Sequence, residues 1–277
     1  DLSFPKNRLR RLRQSAWIRD SFKENKLSSN DLIWPIFVCE GENKKEEIDS
    51  IPNVYSYSVD NLNEVIDIAS EQKIKLVAIF PYTPQNLKNV DGKEALNPKN
   101  LVCRSLQKLK SHSPDFGIMC DVALDPYTLH GHDGLIINEQ VDNDKTIKLL
   151  EKQSLNQAMA GCDIVAPSDM MDGRVGKIRK YLDKNKYHDV QILSYAVKYA
   201  SNFYGPFRDA VGSKKSLKSD KKNYQMNFSN SDESLREVAL DIKEGADMVM
   251  IKPGMPYLDI IKKVKENFKI PVLAYQV

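Results

Sequence analysis

Cysteine is scarce in this chain: Cys39, Cys103, Cys120 and Cys162 are the only four in 277 residues, and they form no CxxC pair and no regular spacing. That pattern excludes a disulfide framework and suits the reduced thiols of a cytosolic protein, which is the expected location. Long hydrophobic runs are also lacking. None approaches the ~20 residues of a membrane span, and the N-terminal residues have no signal-peptide core, so no membrane association is expected. Nor is there an excess of charge of one sign: 41 Lys and Arg stand against 38 Asp and Glu. Apart from RLRRLR at 8–13 the basic residues are spread along the whole chain, which argues against nucleic acid as a partner. No GxGxxG loop follows the first apolar run, which removes the signature of a dinucleotide fold. What is present, 41% hydrophobic residues, suffices for one large α/β barrel or two small domains.

The order of the apolar runs favours the barrel. Strand-like runs recur at 32–38, 76–81, 116–124, 162–168, 190–197, 248–252 and 270–277. Helical patterns lie between several of them: Leu62, Val65, Ile66 and Ala69 after a cap at Asp60 or Asn61, then 147–159, 175–182, 235–242 and 258–264. Strand alternating with helix predicts an α/β fold with a parallel sheet, best fitted by a (β/α)8 TIM barrel over 31–277. Seven strands are counted and the seventh runs to the last residue, so the barrel is expected to lack its last βα unit. Residues 1–30 are basic and carry an imperfect apolar stripe, Leu9, Leu12, Ala16, Ile18 and Phe22, with no core of its own. This reads as an N-terminal arm packing against a neighbouring subunit. The stretch 204–230 has no strand and little helix but holds five lysines, and a structureless loop of that length is expected to be a functional lid.

Two of the buried strands end in lysine. The run 190–197 delivers Lys198 within DVQILSYAVKYASNFYGPFRDA (189–210), and 248–252 delivers Lys252 within GADMVMIKPG (245–254). A lysine at the end of a buried strand is partly desolvated, which lowers its pKa and makes it a nucleophile. Lysines also close strands simply to meet solvent, but in a parallel barrel all strand C-termini share one face, where two lysines could meet over one substrate. Asp121 opens DVALDPYTLHGHDG (121–134), whose three aspartates and two histidines could bind metal or form a turn-rich hydrogen-bonded loop. Ser168 ends another strand, and Asp172 just beyond it reads as a helix cap. Tyr195, Phe203 and Tyr204 could wall the lysines or belong to the core.

Taken together, SYAVKYASNFYGPFRDA, KSDKKNYQMN (218–227), MVMIKPG and AYQV resemble the porphobilinogen synthase family, also called 5-aminolevulinic acid dehydratase, and the resemblance runs from RLRRLR to AYQV. It implies a (β/α)8 barrel with an N-terminal arm, usually a homo-octamer. It also implies condensation of two 5-aminolevulinate molecules into porphobilinogen with loss of two waters, without an organic cofactor. Lys252 resembles the lysine forming the Schiff base with the substrate of the propionate side, and Lys198 its partner for the second substrate. Arg208, Lys221 and Gln225 resemble the lid group that grips a substrate carboxylate. Lys221 stands where relatives often have arginine, which keeps the charge but loses the bidentate fork. Asp121, a candidate proton carrier, and Ser168 match positions lining the pocket. Past AYQV the family continues through a serine and an eighth strand with a tyrosine.

The resemblance also bears on metals. Zinc-dependent relatives carry three cysteines where this chain has Ala123, Asp125 and Asp133, so no zinc is expected. The carboxylates either hold a hard ion or hold substrate and lid by hydrogen bonds and charge. Glu237, in SLREVALD (234–241), matches the position anchoring an activating, allosteric Mg2+ away from the active site. The competing readings are another Schiff-base class I aldolase, which needs only one such lysine, and a catalytically silent barrel acting as a subunit.

Overall fold

The computed structural model describes residues 3–212 and 220–277 and turns the seven apolar runs into seven parallel strands. They are β1 (Ile33–Cys39), β2 (Leu76–Tyr82), β3 (Gly117–Val122), β4 (Ile164–Pro167), β5 (Gln191–Lys198), β6 (Met248–Lys252) and β7 (Val272–Ala274). Each hydrogen-bonds to the next, so sheet order follows chain order, as in an α/β barrel. Helices α1 (Leu62–Glu71), α2 (Leu101–His112), α3 (Asn143–Met159), α4 (Arg174–Lys184), α5 (Asp232–Glu244) and α6 (Leu258–Asn267) form the crossovers. α2 is absent from the patterns above, although Asn100 caps it by accepting from the Cys103 amide at 2.9 Å. Two short strands also go beyond the expected elements: Tyr55–Ser58 pairs parallel to β1, and Lys45–Glu47 pairs antiparallel to Tyr55–Ser58. Among the described residues β7 and β1 share no hydrogen bond, and Leu32, Ile33, Val272 and Leu273 line a cavity of about 440 Å³ at that opening.

Both faces of the strands are apolar because one meets the barrel interior and the other the helices. Residue parity separates them. Phe37, Phe80, Met119, Ala166, Leu193, Tyr195 and Met250 form the interior cluster, whereas Val38, Ile79, Ile118, Val165 and Ile192 pack with helix residues. Strict alternation along β5 would then put Val197 inside and Lys198 outside. One extra residue prevents this: Ser194 pairs with Val249 but Val197 pairs with Ile251, so β5 takes three steps where β6 takes two. The bulge returns Lys198 to the interior phase, opposite Lys252.

Several local expectations change. Asp172 does not cap α4; Gly173, at φ +77, precedes it, and the Asp172 amide donates to Asn143 Oδ1 at 2.7 Å. The arm has a 3-10 turn at Leu9–Arg13 and a short helix at Ala16–Ser21, with no buried residue in either. The segment after β5 begins with a helix, Gly205–Ala210. Its middle, 213–219, with Lys214, Lys215 and Lys218, lies outside the described residues. All four cysteines are buried and unpaired.

Candidate active site

Successive strand ends bring polar side chains to one cavity. Asp121 comes from β3, Asp125 from the loop after it, Ser168 from just past β4, Lys198 from β5 and Lys252 from β6. The segment after β5 covers them with Tyr204, Phe207 and Arg208 before residue 213, and with Lys221 and Gln225 after residue 219. The space left is about 30 Å³, room for no more than a few water molecules. Tyr195 lies beneath, its ring centroid 5.5 Å from Lys252 Nζ and 6.0 Å from Lys198 Nζ. Phe203 is a correction: it is 62% exposed and stands outside the site. The turn of helix at Gly205–Ala210 puts Tyr204, Phe207, Arg208 and Val211 on one face, and Phe207 takes the place expected of Phe203. Glu237 lies apart, in a second cavity of about 380 Å³ with Asp172, Glu233, Asn143 and Asn227.

The two lysines are equally buried, 7% and 3% exposed, but differently surrounded. Lys198 donates a short hydrogen bond to the Ser168 carbonyl and stands 3.4 Å from Asp133 Oδ1. Lys252 faces rings: its Nζ is 3.9 Å from the centroids of both Phe207 and Tyr275. Burial, then the nearby Lys198 charge, pushes the Lys252 ammonium down to about 7. Burial and the neighbouring Asp125 push the Asp121 carboxyl up to about 6, against the pull of Lys198 and Lys252. Burial also works against the Asp133 carboxylate, but Lys198, Lys221 and the Tyr224 hydroxyl outweigh it and hold that group well below the usual range.

Asp133 organises the covering segment. It accepts from Lys221 Nζ at 2.6 Å and from the Tyr224 hydroxyl at 2.9 Å, and Lys221 also reaches Asp125 Oδ2 at 3.4 Å. His132 Nδ1 lies 3.1 Å from the same hydroxyl. As metal ligands Asp125 and Asp133 are poorly placed, because an ammonium group already engages both. Among the described residues no three His, Cys, Asp or Glu side chains converge as a metal site. On the other flank buried Lys88 donates to the Gly212 carbonyl at 3.0 Å. A Cβ on Gly212 would lie 2.7 Å from the Tyr82 ring, so glycine allows this approach. Tyr204 donates to the carbonyls of Tyr199 and Lys252 at 2.7 and 3.0 Å, tying the two lysine strands together. Phe207, Tyr224 and Tyr275 are thus site residues that sequence reasoning missed. The i, i+3, i+4 spacing of Tyr204, Phe207 and Arg208 was the available signal for the first; the other two lie inside KSDKKNYQMN and AYQV without a distinguishing pattern.

Known proteins with this arrangement settle its family. A family model described as delta-aminolevulinic acid dehydratase matches residues 6–277. The chain belongs to the delta-aminolevulinic acid dehydratase family. The delta-aminolevulinic acid dehydratase of Bradyrhizobium diazoefficiens is 55% identical over 270 residues, covering 98% of this chain and 76% of the relative. That of Rhodobacter capsulatus is 49% identical over 274 residues, covering 99% and 82%. The crystal structure of delta-aminolevulinic acid dehydratase (porphobilinogen synthase) from Toxoplasma gondii, in complex with the reaction product porphobilinogen, superposes with a TM-score of 0.95 at 44% identity. It covers 98% of this chain and 77% of that one. The paired lysines therefore stand in a delta-aminolevulinic acid dehydratase barrel, and the chain spans 76–82% of the length of these three relatives.

Proposed function

We propose that this chain condenses two molecules of 5-aminolevulinate into porphobilinogen with loss of two waters, through imines on Lys252 and Lys198. The observation that carries the reading is the pairing of these lysines on adjacent strand ends within one cavity. A class I aldolase would need only one of them. Lys252, with its ammonium pushed down to about 7, is neutral often enough at physiological pH to attack the ketone. The carbonyl oxygen leaves as water, and the protonated imine then draws electrons as the new C–C and C–N bonds form. Lys198, hydrogen-bonded to Ser168 and beside Asp133, is placed to hold the second ketone in the same way. Asp121, pushed up to about 6, can take and return protons near neutrality. Arg208 and Lys221 supply positive charge for the substrate carboxylates. Gln225 Oε1 and the Tyr195 hydroxyl are buried without a hydrogen-bond partner among the described residues, a costly state that a polar substrate group would relieve. Two substrates cannot enter a space of about 30 Å³, so the Lys221–Gln225 wall has to part for turnover.

The reading extends to magnesium and assembly. Glu237, Glu233 and Asp172 line one cavity with Asn143 and Asn227 without converging as a preformed site, and their oxygen atoms are of the kind a hard ion that keeps several waters takes. Bound there, magnesium would add positive charge beside α5, and no step of the condensation passes through it. The exposed Leu9, Leu12, Trp17 and Phe22 support an arm that packs on a neighbouring copy in a homo-octamer.

Turnover of 5-aminolevulinate to a pyrrole that colours with an aldehyde reagent tests the function, and its absence from the folded protein would leave a silent barrel. Borohydride reduction in the presence of substrate should add a substrate-sized mass to the peptide containing Lys252. Labelling that persists in Lys252→Ala and vanishes in Lys198→Ala would reverse the roles of the lysines.

A further inference from the structure

The lysines differ in one respect that their charges do not explain. Lys252 Nζ lies 3.9 Å from the Phe207 and Tyr275 ring centroids, with Tyr195 and Tyr204 at 5.5 and 5.6 Å. Among the described residues Lys198 Nζ has only Tyr195, at 6.0 Å. The Phe207 and Tyr275 rings meet edge to face, their centroids 5.9 Å apart and their planes at 82°. Phe80 packs edge-on against Phe207 at 5.1 Å, so a partner in the barrel interior holds that ring in place. Charged groups face both lysines, and Lys198 has one of them, Asp133, in direct contact at 3.4 Å. Asp121, Asp125 and Asp133 attract its cation and Lys198 repels it, while Arg208 and Lys221 line the same cavity. Lys198 shares these surroundings and makes its own contacts with Asp133 and Ser168. The rings act on Lys252 almost alone.

We propose that Phe207 is a catalytic residue, whose ring face together with that of Tyr275 forms a cation–π cage that binds the positive nitrogen of Lys252, first as ammonium and then as protonated imine. The inference deepens the imine chemistry proposed above and rests on it. When the neutral Lys252 amine condenses with a ketone, the carbonyl oxygen leaves as water, and one further proton, which Asp121 is placed to return, gives the imine nitrogen its positive charge. A carboxylate close enough to stabilise that cation could also take its proton; a ring face attracts the cation and has no basic site to accept a proton. Burial alone would favour the uncharged imine, which is a poorer electron sink. Phe207 arrives on the helix covering the site, so the cage is complete only when that helix is seated.

The test grades the ring quadrupole while leaving its shape almost unchanged. Position 207 is filled in turn with phenylalanine and its 4-fluoro, 3,5-difluoro and 3,4,5-trifluoro derivatives. Lys252 is titrated by NMR in protein carrying ε-13C lysine, with its signal assigned by its loss in Lys252→Met. Each fluorine weakens the attraction to the cation, so the titration midpoint should fall stepwise, by roughly one pKa unit across the series. The pH window of borohydride trapping with 5-aminolevulinate should move down with it. Phe207→Leu should match the far end of the series, and if it does not fold, the fluorinated rings decide alone. A midpoint that does not move with fluorination overturns the cage. Because the titration needs no substrate, a stepwise fall in a protein that makes no pyrrole would uphold the cage's hold on the ammonium and refute the condensation instead.

Discussion

Replacing Lys221 by methionine removes one positive charge from between two buried carboxylates while keeping most of the side-chain volume. Lys221 Nζ is 2.6 Å from Asp133 Oδ2 and 3.4 Å from Asp125 Oδ2, and the residue is 5% exposed. At an effective dielectric near 20 these separations correspond to attractions of about 6 and about 5 kcal/mol. Desolvation of the three groups offsets much of that, and removing one partner of a buried pair costs about 3–5 kcal/mol. For a chain of this size the melting temperature of Lys221→Met should fall by roughly 10 °C. The variant should also show a raised KM, because the Gln225 amide hangs on the Lys221 carbonyl at 2.8 Å and the whole wall loosens. The pH dependence has a definite sign. Asp133 is held below its unfolded pKa, so its contribution is present above that value and is lost as pH falls through the depressed folded one. Without Lys221 the Asp133 pKa rises, and the acid loss begins at higher pH. Calorimetry across a pH series measures the melting and steady-state kinetics the KM, with Lys221→Arg as the charge-keeping control. A Lys221→Met protein melting within about 2 °C of the parent would show that the carboxylates are not held by this ammonium.

Further outcomes follow from other charged groups of the protein. kcat/KM for 5-aminolevulinate should rise as pH increases through about 7, because Lys252 must lose its proton. Asp121→Asn should move that limb to lower pH while depressing the rate, and a limb that stays in place would argue against their coupling. Burial pushes the Asp169 carboxyl up to about 7 despite Arg174, so the stability it confers is complete below the ordinary carboxylate pKa and lost as pH rises through about 7. Urea unfolding of Asp169→Asn should lack that decline, and parallel pH curves for parent and variant would contradict it. Magnesium stimulation should vanish in Glu237→Ala, and the purified protein should hold no stoichiometric zinc and resist a zinc-selective chelator. One tightly held zinc per active subunit would refute the carboxylate reading of the 121–134 loop.

Much of the barrel is legible in the chain because strands buried on both faces read as unbroken apolar runs. The missed pieces lack that mark. Lys45–Glu47 and Tyr55–Ser58 are polar or mixed; Tyr55–Ser58 is a strand because β1 offers it an edge, and Lys45–Glu47 because Tyr55–Ser58 offers the next one. Phe203 and Phe207 are the same residue type in one motif, and only the seating of the Gly205–Ala210 turn decides which ring meets a lysine. The engagement of Asp125 and Asp133 by Lys221 joins positions 96 and 88 residues apart in the chain, a distance no local pattern records.

The sequence by itself determined the parallel architecture, the family and the two strand-ending lysines, because hydrophobic periodicity and residue chemistry are local properties. That the lysines meet was decided by tertiary structure. Alternation along β5 points Lys198 away from the interior, and the pairing register with β6 corrects it through one extra residue between Ser194 and Val197. A register belongs to two strands at once, so neither strand's sequence contains it.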